Sequence, residues 1–260
     1  MSPPPENPGA EQSGPAEGAS EDLLLGGRLR LRQPATGYRV AIDPVFLAAA
    51  VPAGPADAIL DVGSGVGAAS LCLAARVPGC RVTGVEMQRD LVRLAGDNIV
   101  LNDLAGRLSV MRGDLLALPP RLAPGAFDHV MANPPFLAAG SATAPGHAGK
   151  AAANLEGAAD LAAWVRVALA MVRAKGSLTF IHRADRLEAL LALLAGKAGE
   201  ITLYPLWPGA GKPAKRIIVR ARKGIASPTR LLQGMILHEA DGRFTAAAEA
   251  VLRDAAGLEM

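Results

Sequence analysis

From Ala58 to Ala195 short apolar runs alternate with stretches of helical length, and that alternation leaves few architectures open. Ala58 to Val62, Arg81 to Val85, Leu108 to Arg112, Phe127 to Ala132 and Ser177 to His182 have the length and composition of strands. The stretches between and after them predict helices: Ala68 to Val77, one capped by Asp90 that runs to about Leu101, one capped by Asp160 that ends near Gly176, and Asp185 to Ala195. Strands joined through helices cross over right-handedly, so an α/β fold with a mainly parallel sheet and helices on both faces is expected. Glu200 to Leu206 and Arg216 to Ala221 are joined by a Pro/Gly loop with no helix, so this last hairpin should be antiparallel.

Residues 1–22 are rich in Pro, Gly, Ala, Ser and Glu without apolar periodicity, and are expected to form a disordered tail. The folded domain should span 23–223, opening with a half-buried strand at Arg28, Leu29, Arg30, Leu31, Arg32 whose arginines share one face. Asp43-Pro44 has the pattern of a helix N-cap followed by proline at the first helical position. Residues 224–260 should add a small strand and a helix from about Thr245 that pack on the core. Half of the residues are apolar, yet no uninterrupted apolar stretch approaches the roughly 18 residues of a membrane span. Together with a start unlike a signal peptide, this makes the cytoplasm the expected location. Cys72 and Cys80 are too few for a disulfide framework and lack companions at metal-ligand spacing, so no metal is expected.

A glycine-rich turn, Asp61-Val62-Gly63-Ser64-Gly65-Val66-Gly67, joins the first strand of the parallel sheet to its helix. Gly63, Gly65 and Gly67 allow a ligand to approach the backbone, a property shared by sites for NAD, FAD and S-adenosylmethionine, and by a plain tight turn. Asp61 discriminates among them, because a pyrophosphate avoids an acid at that corner whereas the ammonium of S-adenosylmethionine is drawn to it. Glu86, 19 residues after Gly67, sits where a carboxylate accepts ribose hydroxyls, and Asp114 where one accepts from the adenine amino group. Either acid also suits solvent, and Asp114 also suits a turn cap. At the end of the next strand stands Asn133-Pro134-Pro135-Phe136: an amide acceptor, two prolines that remove competing N–H donors, and an aromatic face. Those are the parts needed to grip a planar amine.

The ordered set Asp61, Glu86, Asp114 and Asn133 at successive strand ends resembles the seven-stranded class I methyltransferases over about residues 25 to 223. Asn133 to Phe136 is similar to the Asn-Pro-Pro-aromatic signature of amino-group methyltransferases. Gly37-Tyr38-Arg39 and Asp43-Pro44 ahead of the glycine-rich turn resemble the tRNA1(Val) (adenine-N6)-methyltransferase family. The resemblance implies S-adenosylmethionine as cofactor, with Asp43 near its methionyl end beside Asp61, Gly63, Gly65, Gly67, Glu86, Asp114 and Asn133. It also implies transfer to an exocyclic amine of a nucleobase, most simply adenine N6 in tRNA. Asn133 and the Pro134 carbonyl would then be catalytic, accepting the two N–H bonds so that the nitrogen becomes pyramidal. Pro135, Phe136 and Arg39 would bind the substrate, Phe136 stacking on a base drawn from its neighbours.

Guanine-N2 methyltransferases of ribosomal RNA and glutamine methyltransferases share the turn, and a non-catalytic RNA- or partner-binding role stands last. The resembled family often has basic residues ahead of the glutamate where this chain has Ala152, Ala153 and Asn154 before Glu156, a departure that bears on which RNA is used. Leu137 to Ala159, rich in Ala and Gly, suits a mobile cover over the substrate. There are 27 Lys and Arg against 24 Asp and Glu; removing the five acids of residues 1–22 leaves 27 against 19. Arg28, Arg30, Arg32 and Arg39, and the run Lys212, Lys215, Arg216, Arg220, Arg222 and Lys223, are the segments that could hold RNA phosphates.

Overall fold

The computed structural model describes residues 18–36, 39–135 and 159–260. Its centre is a parallel run of β3 (Ala58–Val62), β4 (Arg81–Glu86), β5 (Leu108–Arg112), β6 (Phe127–Ala132) and β7 (Val172–Arg183). Between them lie α2 (Ala68–Arg76), α3 (Arg89–Leu101) and α4 (Leu161–Met171), with α5 (Leu187–Leu194) after β7. β8 (Ala198–Trp207) and β9 (Arg216–Lys223) complete seven strands in the order β8-β9-β7-β6-β3-β4-β5. β9 lies antiparallel between β7 and β8, so β8 runs parallel to the rest. This is the Rossmann-like α/β sheet the alternation required.

Both faces are apolar because the strands are covered from both sides. Ile59, Met131, Ile181 and Ile218 face the layer of α1 (Asp43–Ala50) and α2, whereas Leu60, Val130, Phe180 and Val219 face that of α4 and α5. Burying such a side chain contributes about 1.5–3 kcal/mol, so one register slip in β3 or β6 would turn several of these residues to the wrong layer. Asp160 begins α4 as expected, its Oδ1 accepting from Ala163 N at 2.8 Å. Thr245 does the same for α6 (Ala246–Asp254), with Oγ1 3.2 Å from Ala248 N. Two short strands, β10 (Arg230–Leu231) and β11 (Met235–Ile236), add in parallel to β8.

Several local expectations change. The tail expected through residue 22 ends earlier, because Ala19–Leu24 is β1, paired antiparallel with β2 (Leu29–Pro34). The reason is charge pairing across the hairpin: Glu21 binds Arg30 and Arg32, and Asp22 binds Arg39. Only Glu6, Glu11 and Glu17 precede β1, so the acids outside that segment number 21 rather than 19. Arg28 lies before β2 and donates to the Asp254 carbonyl at 2.9 Å. α4 stops at Met171 instead of near Gly176, since fully buried Val172 is extended and pairs with Phe127. Asp43 and Asp90 stand inside the first turns of α1 and α3 and cap neither helix. There they face the positive helix end, a favourable place for an acid. Gly37, Tyr38, Phe136 and the expected cover from 137 to 158 lie outside the described residues. Among the described residues no helix is long and apolar enough to cross a membrane.

Candidate active site

Parallel pairing sets the height of each candidate. Val62 pairs with Val85 on one side and Ala132 on the other, and Glu86 pairs with Arg112. Asp61 on β3, Glu86 on β4, Asp114 after β5 and Asn133 after β6 therefore gather at the carboxyl edge, where open parallel sheets bind ligands.

The turn after β3 is held from both sides. The amides of Gly63 and Ser64 donate to the Val85 carbonyl at 2.8 and 3.0 Å, and Gly65 N donates to Glu86 Oε2 at 3.0 Å. Gly63 has a φ of 68°, and a Cβ there would lie 2.2 Å from the Trp164 ring of α4. Its glycine is thus required by close packing as well as by the left-handed backbone. Gly65, at φ 56°, has open space where a Cβ would project, which leaves its backbone accessible to a ligand. The remaining oxygen of Glu86, Oε1, accepts from Gln88 N at 2.8 Å. A carboxylate has about four acceptor positions, so both oxygens keep capacity for ribose hydroxyls.

Asp61 is 2 % exposed, and its Oδ2 accepts from Ser70 Oγ at 2.7 Å. Burial pushes the carboxyl up to about 7, against the opposing Ser70 hydrogen bonds and with a further contribution from the Glu86 charge. A buried acid whose only hydrogen-bond partner among the described residues is a serine is a fitting seat for an ammonium group. Ser70 itself is not singled out by the sequence; it stands three residues into α2, on the turn facing β3. Asp114 is exposed and its Oδ1 accepts from Leu116 N at 2.9 Å, closing a small turn. Met87 and Leu116, beside Glu86 and Asp114, are 58 % and 51 % exposed. Apolar side chains next to both acids offer faces for an adenine ring, a signal present in the sequence only as "apolar after acid".

Across the edge, Asn133 Oδ1 is buried and accepts no hydrogen bond from the described residues. An orphaned buried acceptor costs about 1–3 kcal/mol, and a substrate amine is a group that would relieve it. Pro134 is buried behind it and Pro135 half-buried. Asp43, 4 % exposed, lies elsewhere in hydrogen-bond terms, with Oδ2 2.9 Å from Arg216 Nε. Arg39 donates to Ser20 Oγ at 2.8 Å and Asp22 Oδ2 at 2.6 Å, which ties it to β1. Cys72 and Cys80 are buried, the Cys72 thiol pushed by burial up to about 12. Among the described residues no group of His, Cys, Asp and Glu could hold a metal.

The "Methyltransferase small domain" family matches residues 40–183. The chain is 28% identical over 238 residues to a tRNA1(Val) (adenine(37)-N6)-methyltransferase of Porphyromonas gingivalis, covering 86% of this chain and 91% of that one. A protein of the same name from Aeromonas hydrophila is 26% identical over 210 residues, with 80% and 85% covered. The crystal structure of a predicted O-methyltransferase from Agrobacterium tumefaciens superposes with a TM-score of 0.67 at 26% identity, over 83% of this chain and 98% of that one. The Pyrococcus horikoshii TYW2 complex with MeSAdo shares the fold, with a TM-score of 0.56 at 12% identity over 80% and 72% of the two chains. With its seven-stranded sheet, its glycine turn between Asp61 and Glu86 and its match over residues 40–183, the chain belongs to the methyltransferase small domain family and is an S-adenosylmethionine-dependent methyltransferase.

Proposed function

We propose that the protein transfers a methyl group to the N6 amine of adenine in tRNA, within the cytoplasm. The observation that carries this reading is the buried Asn133 Oδ1 at the end of β6, which accepts no hydrogen bond from the described residues and stands directly before Pro134 and Pro135. Similarity in fold to an O-methyltransferase does not choose the acceptor atom; an amide acceptor backed by two residues without N–H donors suits an N–H nucleophile. The relatives named for adenine-N6 methylation of tRNA support adenine and tRNA as the specific acceptor.

When bound, the cofactor supplies a methyl group already activated on a sulfonium. Asp61 would hold its ammonium, Gly63, Gly65 and Gly67 would let it lie against the turn, and Glu86 would accept from its ribose. Asp114 would face its adenine, together with Met87 and Leu116. Asp43 is assigned a place near the methionyl end, acting through the α1 start that its bond to Arg216 fixes. Asn133 Oδ1 and the Pro134 carbonyl would each accept one N–H of the target amine. Both acceptors favour a pyramidal nitrogen whose lone pair has left the ring, and they stabilise the positive charge that develops as the bond forms. After transfer the nitrogen carries one proton in excess, which is released to water. Pro135 and Phe136 would supply the surface for a base removed from its stack. Arg39 would reach a phosphate by leaving Asp22, to which it donates at 2.6 Å.

The test is incubation of the protein with labelled cofactor and tRNA from cells lacking it, followed by nucleoside analysis. N6-methyladenosine is the expected product. Methylguanosine, or label confined to protein, would overturn the reading.

A further inference from the structure

Beyond β6 the carboxyl edge continues through the end of β7 and the start of β9 to the end of β8. At about 4.8 Å per strand, the end of β8 is displaced roughly 14 Å from the end of β6. There the connection from Trp207 to Arg216 meets β11 and the start of α6 around a groove of about 960 Å³. Trp207, Met235 and Ile236 give it apolar walls, and Ile236 remains 40 % exposed. The indole is held in place by Trp207 Nε1, which donates to the Gln233 carbonyl at 2.9 Å.

Charge selects the occupant. None of the residues that line this groove is acidic, and Lys212 is among them. Lys212 and Lys215 are exposed and take part in no ion pair among the described residues. The other bases of the run are engaged. Arg216 binds Asp43, Arg220 the Ala50 and Met260 carbonyls, Arg222 the Lys175 carbonyl and Glu200, and Lys223 the Val172 carbonyl. Moreover, Arg216 to Lys223 run down β9 away from the edge, at about 3.3 Å per residue. Among the described bases of this run, Lys212 and Lys215, in the connection before β9, are the ones whose side chains are held by neither an ion pair nor a carbonyl, and Lys212 lines the groove beside Trp207.

We propose that this groove binds a nucleotide of the substrate strand that flanks the target base, with its base against Trp207 and its phosphates on Lys212 and Lys215. Paired stacking and phosphate contacts are what single-stranded nucleic acid requires, and the ~14 Å offset spans about four stacked nucleotides at ~3.4 Å each, fewer in an extended strand. The inference rests on the RNA reading above and adds to it a second, separate contact.

Three variants test it with tRNA from cells lacking the protein: Trp207→Ala, Trp207→Phe, and the double change Lys212→Ala with Lys215→Ala. Trp207→Ala should raise the RNA Kd and KM about tenfold, with kcat and cofactor affinity retained, and Trp207→Phe should restore binding. The lysine pair should reduce the slope of log K against log salt by about 1.4, at about 0.7 per contact. Wild-type values in all three, from enzyme that methylates the RNA, would overturn the groove while leaving the RNA reading intact. Absence of RNA methylation by the wild type would instead remove the reading on which the groove depends.

Discussion

The two halves of the carboxyl edge are built on opposite principles. On the β3 to β5 side the acids are already bonded within the protein: Glu86 holds Gly65 and Gln88, Asp61 holds Ser70, and Gly113 N donates to the Glu86 carbonyl at 3.0 Å, with Ser64 Oγ the buried group that has no partner among the described residues. On the β6 to β8 side Arg216 and Arg183 are paired with Asp43 and Asp185, but among the described residues Asn133 Oδ1 accepts no hydrogen bond and Lys212 and Lys215 take part in no ion pair. A cofactor of fixed chemistry gains from a rigid, internally bonded seat, because little order remains to be imposed when it binds. An acceptor amine must be held most tightly as its geometry changes, so groups that wait for it are better left unbonded.

Asn133→Ala gives the sharpest break between the halves. By analogy with the removal of one preorganised group at a reacting centre, kcat should fall about 10²–10³-fold, while calorimetric cofactor affinity stays at the wild-type value. Equal loss of cofactor affinity would merge the two halves. Asp61→Ala is the complementary change. Loss of a charged hydrogen bond of about 1.5–3 kcal/mol corresponds to about 10- to 150-fold weaker cofactor binding, and unchanged binding would remove Asp61 from the seat.

The same carboxyl sharpens the comparison through pH. Its ordinary value near 3.8 is raised by burial to about 7 in the folded protein, so the folded state holds a proton that the unfolded chain has lost. Its contribution to stability is fully present below about 4 and is lost as pH rises through about 7. An ammonium ligand favours the ionised form, so cofactor affinity should move the opposite way, rising several-fold from pH 6 to about pH 7.5, above which the ligand's own amine begins to lose its proton. Calorimetry in two buffers should record proton release on binding, and Asp61→Asn should flatten the profile. A flat wild-type profile would mean that no cation meets Asp61.

Legibility in the sequence followed the range of the interactions concerned. β3, β5 and β6 have the bounds read from the sequence, because each is a short run dominated by apolar residues that is stopped by a turn. Asp160 was readable as a cap, and the start of α6 near Thr245 as a helix start, because a cap acts over three residues. The end of α4 was not, since Val172 continues the apolar pattern of the helix and only its pairing with Phe127 extends it. Asp43 looked like a cap because its partner, Arg216, is 173 residues away. Trp164 over Gly63, and Ser70 beneath Asp61, depend in the same way on how α4 and α2 dock on the sheet.

The smallest effect belongs to the basic strand at the other end of the domain. Arg30 and Lys212 count equally in the net charge, yet Arg30 Nε lies 2.7 Å from Glu21 and its side chain is 39% exposed, whereas Lys212 faces solvent without an ion pair among the described residues. A phosphate that approached Arg30 would have to displace a carboxylate already in place, and the electrostatic gain would largely cancel. Arg30→Ala should therefore change RNA affinity less than about twofold, and lower stability by about 1 kcal/mol or less, as for a surface ion pair. The Glu21→Gln change should instead strengthen RNA binding and steepen its salt dependence, because it removes the acid that holds Arg30. Measured beside the Lys212 and Lys215 double variant, an Arg30→Ala loss of equal size would show that β2 belongs to the RNA surface, and that pairing with Glu21 gives way when RNA arrives.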